Sequence, residues 1–235
     1  MVRAIGAIVV LAAIVGGCDS GSEGDGDRLT ISLWVRYAVE SEVGIGTTAY
    51  ATFYDGDEDG DSLELEDNAV VTCNGKRLEV TLEAWSRLTY YKSTVQDLGE
   101  GGRYNFTLTR GSGEEVVDSL TLPSAVTIET ADSEVQPGRD ATVELSPGTA
   151  DELQVAVVAT CLAPAEVSLE GSAESATIDG DSLVCACAAG GLEPPCEGVF
   201  RAQRISRGTV SEVFAGGETL GVQRHEVDVQ VIAEE

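Results

Sequence analysis

Positive charge is scarce in this 235-residue chain. Lysine and arginine together number 14 against 41 aspartates and glutamates, a formal net charge of −27, and Lys76 and Lys92 are the lysines. Nucleic acid needs a basic face to neutralise its phosphates, so it is excluded as a partner. The body of the chain also has no electrostatic reason to lie on anionic lipid. The acidity favours solubility, divalent cations or a basic partner. Histidine is nearly absent too, with His225 standing alone. There is no Gly-x-Ser-x-Gly elbow, no dinucleotide fingerprint and no phosphate-cradling glycine loop. Acids are too abundant for any two to stand out as a glycosidase pair. The chain is therefore expected not to be an enzyme. No segment shows a sustained helical period with caps. The apolar stretch Ala4–Val15 falls short of the ~20 residues that span a bilayer.

What is present begins at the amino terminus. Met1-Val2-Arg3 supplies a positive start, Ala4–Val15 an apolar block, and Gly16-Gly17 a small pair before Cys18. That order is an export signal. Val15-Gly16-Gly17-Cys18 resembles the signal of bacterial lipoproteins, an aliphatic residue and two small ones before a cysteine. The resemblance implies cleavage of residues 1–17, a diacylglyceryl group on the Cys18 thiol and acylation of the new terminus by a palmitate-type chain. Two or more acyl chains hold stably where one does not, each buried methylene contributing about 0.8 kcal/mol. The expected location is the bacterial cell envelope, lipid-anchored to a membrane. The outer membrane is placed ahead of the inner, because the inner-membrane retention that Asp19 signals in enteric bacteria is a rule of that lineage. Residues 18–27, from Cys18 through the Asp19–Asp27 run of Ser, Gly and acids, form an expected flexible tether with no apolar residue to join a core.

From Arg28 the pattern changes to period two. Leu29, Ile31, Leu33, Val35 and Tyr37 alternate with Thr30, Ser32, Trp34 and Arg36, which is a half-buried strand. Thr47–Tyr54 is a second. Ala69–Cys73, Asn74-Gly75 and Lys76–Leu78 read as a hairpin whose outgoing strand continues to Leu82, because Asn-Gly takes the positive φ values a tight turn needs. Tyr90–Val95, Tyr104–Thr109 and Val116–Leu122 continue to Pro123. A second run holds Val126–Ile128, Ala141–Leu145 and the nearly continuous apolar Leu153–Cys161, expected to be a central buried strand. Ala176–Ile178 and Ser182–Cys185 flank Asp179-Gly180 as another expected hairpin. Val199–Ser206 and Thr209–Phe214 are expected to be split at Arg207-Gly208, and Gly221–Ile232 is the last strand.

Strands recurring every ~8–12 residues between turn signals give the fold class all-β. The expected architecture is two tandem immunoglobulin-like β-sandwich domains, 28–123 and 124–235, after the signal and tether. The Val71–Gly75 hairpin, the Gly102–Arg110 strand and the Leu122-Pro123 exit are similar to those of uncharacterised envelope lipoproteins with immunoglobulin-like domains, a resemblance that implies location and fold.

Asp55, Asp57, Asp59, Gly60 and Glu66 match the one-three-five-six-twelve spacing of a calcium loop, where a hard cation takes six to eight oxygens. A strand enters and an alternating strand leaves, so the ligands expected in a β-hairpin are Asp55, Asp57, Asp59 and Asp61, with Glu66 further off. The competing reading is a solvated acidic turn. With Cys18 lipidated, Cys73, Cys161, Cys185, Cys187 and Cys196 remain, and export permits disulfides. Residues two apart on a strand share a face, so Cys185 and Cys187 are not expected to pair. The expected bridges are Cys187–Cys196 and Cys161–Cys185, with Cys73 left alone and a zinc site at the Cys-Ala-Cys as the alternative. Trp34 and Trp85 are expected in the core ahead of a ligand-stacking face, and His225 at an exposed strand position. The function expected is non-catalytic binding or scaffolding at the envelope, through the Cys18 anchor and an envelope protein or basic partner. A calcium-dependent adhesion or recognition module using residues 55–66 is the alternative.

Overall fold

The computed structural model describes residues 33–66, 68–84, 86–186 and 194–233; the signal, Cys18 and the tether lie outside the described residues. The first half folds into β1 (Leu33–Glu42), β2 (Gly46–Asp55), β3 (Val70–Cys73), β4 (Lys76–Arg77), β5 (Glu79–Glu83), β6 (Leu88–Val95), β7 (Arg103–Thr109) and β8 (Glu115–Thr121). The second half gives β9 (Ile128–Ala131), β10 (Glu134–Val135), β11 (Ala141–Leu145), β12 (Glu152–Ala159), β13 (Ala165–Glu170), β14 (Ser175–Ile178), β15 (Cys196–Thr209) and β16 (Gly216–Val231). The fold is all-β, as the period-two pattern requires.

One large sheet runs through both halves in the order β13-β12-β15-β16-β1-β2-β6-β5, with β10 also paired to β16. Its inner face is covered twice. The four-stranded sheet β4-β3-β7-β8 lies over one end and the three-stranded sheet β14-β11-β9 over the other, making two β-sandwiches. In the first core Tyr37, Phe53 and Phe106 are fully buried, with the Tyr37 and Phe106 rings stacked 4.6 Å apart. In the second, Val155, Val157, Phe200 and Ala202 pack with Val143, Ile178, Val229 and Val231. Alternation explains the assignment: burial recurs at every second residue along most of β1, β2, β7 and β12, with Ala38 and Thr52 buried as well on the opposite face of β1 and β2.

The hairpin of β15 and β16 joins the two. At 14 and 16 residues these strands reach roughly 50 Å at ~3.3 Å per residue. Phe200, Ala202, Val229 and Val231 belong to the second core, while Phe214 and Val210, from the turn between the strands, pack into the first. β16 lies antiparallel to β15 on one side and parallel to β1 on the other. The expected break at Arg207-Gly208 is absent: β15 continues unbroken to Thr209, and 210–215 make the turn. The ladder to β16 pairs Gly208 with Thr219 and overrides the glycine's weak strand preference. The expected hairpin at Asp179-Gly180 is likewise replaced. Asp179 caps a single 3-10 turn at Gly180–Ser182, accepting from Asp181 N at 2.8 Å, and the chain then makes only an isolated bridge between Cys185 and Leu162.

Candidate functional site

The acidic loop is the tip of the β1–β2 sheet region. Asp55 N–H donates to Asp61 O at 3.1 Å, Gly60 N–H to Asp57 O at 3.2 Å, and Tyr54 bridges Ser62, so the chain doubles back at once. Gly60 is required by this closure, since a Cβ there would lie 2.0 Å from Asp55 O. Asp57 Oδ1 is used internally, accepting from Asp59 N at 3.1 Å. Asp55, Asp57, Asp59 and Asp61 all face solvent. Glu66 lies beyond Leu65, whose N–H donates to Tyr91 Oη at 2.8 Å. Among the described residues no group of three or more His, Cys, Asp or Glu side chains is arranged to hold a metal ion.

The cysteines pair differently from expectation. Cys161 bonds Cys196, with Cα atoms 6.1 Å apart, in place of the expected Cys161–Cys185 and Cys187–Cys196 bridges. The register explains it. β12 and β15 are antiparallel neighbours with Ala159 opposite Gly198; continuing the ladder by two residues sets Cys161 opposite Cys196. Cys185 is also disulfide-bonded, and Cys187 lies outside the described residues. Cys73 is free and fully buried, and burial pushes its thiol up to about 12.

Trp34 is not in the core. It alternates with buried Leu33 and Val35, which puts it on the outer face of the large sheet. There its indole lies over Gly216, where a Cβ would come within 2.9 Å of the ring. Tyr54 meets it edge-on at 5.5 Å, and the Arg36 guanidinium sits 5.3 Å from its centroid. Those contacts occupy the ring, so it offers no bare stacking platform. Trp85 lies outside the described residues. His225 is half-buried and points inward, its Nδ1 accepting from Ile128 N–H at 3.0 Å, which commits that nitrogen to the backbone.

Two arrangements escape a reading of the sequence. The first is a ladder of opposite charges on the outer face. Glu152 on β12 meets Arg207 on β15 at 3.0 Å. Arg207 meets Glu218 on β16 at 3.3 Å, and Glu218 meets Arg36 on β1 at 2.6 Å. Beside this row Arg224 reaches Glu40 and Glu42 at 3.6 and 3.9 Å, and Arg201 meets Glu226 at 2.7 Å. With its amide oxygen turned toward β16, Gln203 accepts from Arg224 Nε and Nη2 at 2.6 and 2.7 Å. The Gln154 amide, with Arg207, holds Glu152 below the usual carboxylate range. Glu42 is raised by burial and by Glu226 nearby. Planar guanidinium groups suit this lattice better than lysine.

The second is the junction between the sandwiches. Arg204, 0% exposed, projects inward from β15 and donates to Ala125 O at 2.6 Å, to Pro147 O at 3.3 Å and to Ser146 O. Gly148 leaves it room, because a Cβ there would lie 2.0 Å from its Nη1. Together with His225 it fixes the connector 123–128 against the hairpin. Next to it a shallow cleft of about 400 Å³ is lined by Glu100, Leu122, Ser124, Thr149, Asp151 and Ser206. Its polar groups already bond one another: Ser124 Oγ lies 2.9 Å from Glu100 Oε1 and 3.4 Å from Thr149 Oγ1. No helix among the described residues is long and apolar enough to cross a membrane.

No protein-family model matches the chain, and no curated protein matches it in sequence. Among solved structures it is similar to the N-terminal two-immunoglobulin module of the Drosophila receptor tyrosine phosphatase DLAR, at 10% identity over 86% of this chain and 99% of that one, with a TM-score of 0.33. A structure of the tandem immunoglobulin repeats of Dlar gives 10%, 86%, 97% and 0.31. A two-domain fibronectin type III segment of chicken tenascin gives 16%, 74%, 90% and 0.25. These scores are low, and nothing about ligands or partners passes from those proteins to this chain.

Proposed function

We propose that the chain is a non-catalytic binding or scaffolding module of the bacterial cell envelope, held to a membrane by lipid on Cys18 and standing off from it as a stiff two-sandwich rod. The observation that carries this reading is the β15–β16 hairpin, which contributes side chains to both cores and leaves little freedom for the two to bend apart. A stiff, well-packed spacer suits presentation or bracing rather than chemistry. The anchor rests on Val15-Gly16-Gly17-Cys18.

Two measurements test it. Cys18→Ser should move the protein from the membrane fraction to the aqueous one, and retention in the membrane would refute the anchor. Spin labels placed on β13 and β5, at opposite ends of the large sheet, should give one narrow distance distribution. A broad or bimodal one would refute the rigid rod whatever the outcome for Cys18.

A further inference from the structure

The turn 210–215, which carries the hairpin of the second sandwich into the first, is held by an unusual group. Asp118 on β8 faces the core and is only 8% exposed. Its Oδ1 accepts from Ser211 N–H at 2.6 Å, while Oδ2 is buried with no hydrogen-bond partner. Phe106 stands opposite it on β7. Tyr37 stacks on Phe106 and meets Phe214 edge-on at 6.4 Å. The Tyr37 hydroxyl is itself buried without a partner. One carboxylate oxygen and one phenol thus sit dry beside the residue, Phe214, that plugs the turn into the core.

We propose that Asp118 is a proton-operated latch: neutral, it keeps the 210–215 turn docked on the first sandwich, and ionised, it loosens that turn. A buried carboxylate with an unserved oxygen is costly. The least disruptive way to bring water to Oδ2 is to lift Phe214 and the turn above it. The charge environment agrees. The titratable neighbour of Asp118 is Tyr37 on β1, whose hydroxyl is raised first by its own burial and then by the Asp118 charge, so it stays neutral. Glu212 in the turn is exposed, and Arg103 on the neighbouring β7 is bonded to Ser119 Oγ at 2.9 Å. Burial raises Asp118, outweighing the Ser211 hydrogen bond that lowers it. The sign follows from linkage. A carboxyl raised on docking stabilises the docked state fully at low pH, and that contribution is lost as pH rises through the raised value.

Hydrogen exchange on the full chain tests this, read as protection at Ser211, Phe214 and Ala215, whose N–H groups bond Asp118, Ser211 O and Leu33 O. Protection there should fall as pH rises from the ordinary aspartate value of about 4 through the raised value of Asp118, by at most about tenfold per pH unit, the limit for one proton. The β12 amides in the same sample should not follow. Asp118→Asn, which keeps an acceptor for Ser211 N–H, should hold the turn at its acid-form protection throughout. A wild-type profile that is flat or rises with pH overturns the proposal, as does an unchanged slope in Asp118→Asn. If that variant does not fold, the wild-type contrast between the turn and β12 decides.

Discussion

Replacing Arg204 with methionine should be among the most damaging single changes in the protein. The side chain is fully buried and serves three backbone carbonyls, those of Ala125, Ser146 and Pro147. Methionine fills most of the volume, so the main loss is polar. Each abandoned buried acceptor costs about 1–3 kcal/mol. Part of that total is offset because a buried guanidinium, whose charge desolvation disfavours here, no longer has to leave water. The expected net destabilisation is about 3–5 kcal/mol, the range for stripping one partner from a buried charged contact. For a chain of this size that is a fall of about 6–20 °C in midpoint. Urea denaturation followed by circular dichroism gives the free energy, and hydrogen exchange over 124–128 locates the loss. A variant within about 1 kcal/mol of wild type would mean that the three carbonyls find water instead, and the account of the junction would fail.

Phe214→Ala should destabilise the first sandwich by about 3–5 kcal/mol although the residue lies more than 90 positions from Leu122, the end of that core's own run of strands; a loss confined to the second core in exchange data would refute the shared hairpin. Cys196→Ser opens a loop with a sequence separation of 35 and should cost about 3–4 kcal/mol in a urea melt, whereas an unchanged melt would mean the bridge is not formed. The Cys73 thiol, pushed up to about 12 by burial, should resist thiol reagents in the native protein at neutral and mildly alkaline pH and react only in denaturant; native labelling would place it at the surface. Because the acids of the 55–61 loop face solvent ungrouped and Asp57 is tied to Asp59 N–H, calcium should leave the thermal midpoint where chelator leaves it. A rise of several degrees at millimolar calcium would show the loop rearranging to gather its acids.

The sequence carries the main strands well, because a sandwich face and a solvent face impose period two on β1, β2, β7, β8, β11 and β12. It does not carry which strands become neighbours. The β12–β15 register that sets Cys161 against Cys196, and the parallel β1–β16 pairing, join residues far apart in the chain through backbone hydrogen bonds common to every residue type. Trp34 misleads for a related reason. Its size suggests a core position, yet its parity in β1 puts it outside, where Gly216, from the far end of the chain, gives its ring a floor. His225 reads as exposed because alternation predicts a face but not the connector that crosses it, whose Ile128 N–H needs an acceptor. The Asp55–Glu66 spacing is legible as a pattern, but the alternating strand expected after it does not form; β2 on one side and the single Tyr54–Ser62 bridge on the other impose a tight reversal that uses Gly60 for closure. Asp118 has no local signature, since an aspartate on a strand is recognised as core-facing only once β7 and β8 are paired.

The rows of opposite charge across β15, β16 and β1 also act as a registration key. A long hairpin can misalign by two residues and still present the same faces inward, so the hydrophobic pattern alone does not police such a slip. Here Arg201 is opposite Glu226 and Gln203 opposite Arg224. Sliding β16 by two residues in one direction would set Arg201 against Arg224. On the other flank Glu42 is opposite Arg224, and the same displacement of β1 would set it against either Glu226 or Val222. Like charges directly opposite on a sheet repel, so the slip that sets Arg201 against Arg224 is disfavoured. That fidelity keeps Phe214 in the first sandwich and Phe200 in the second.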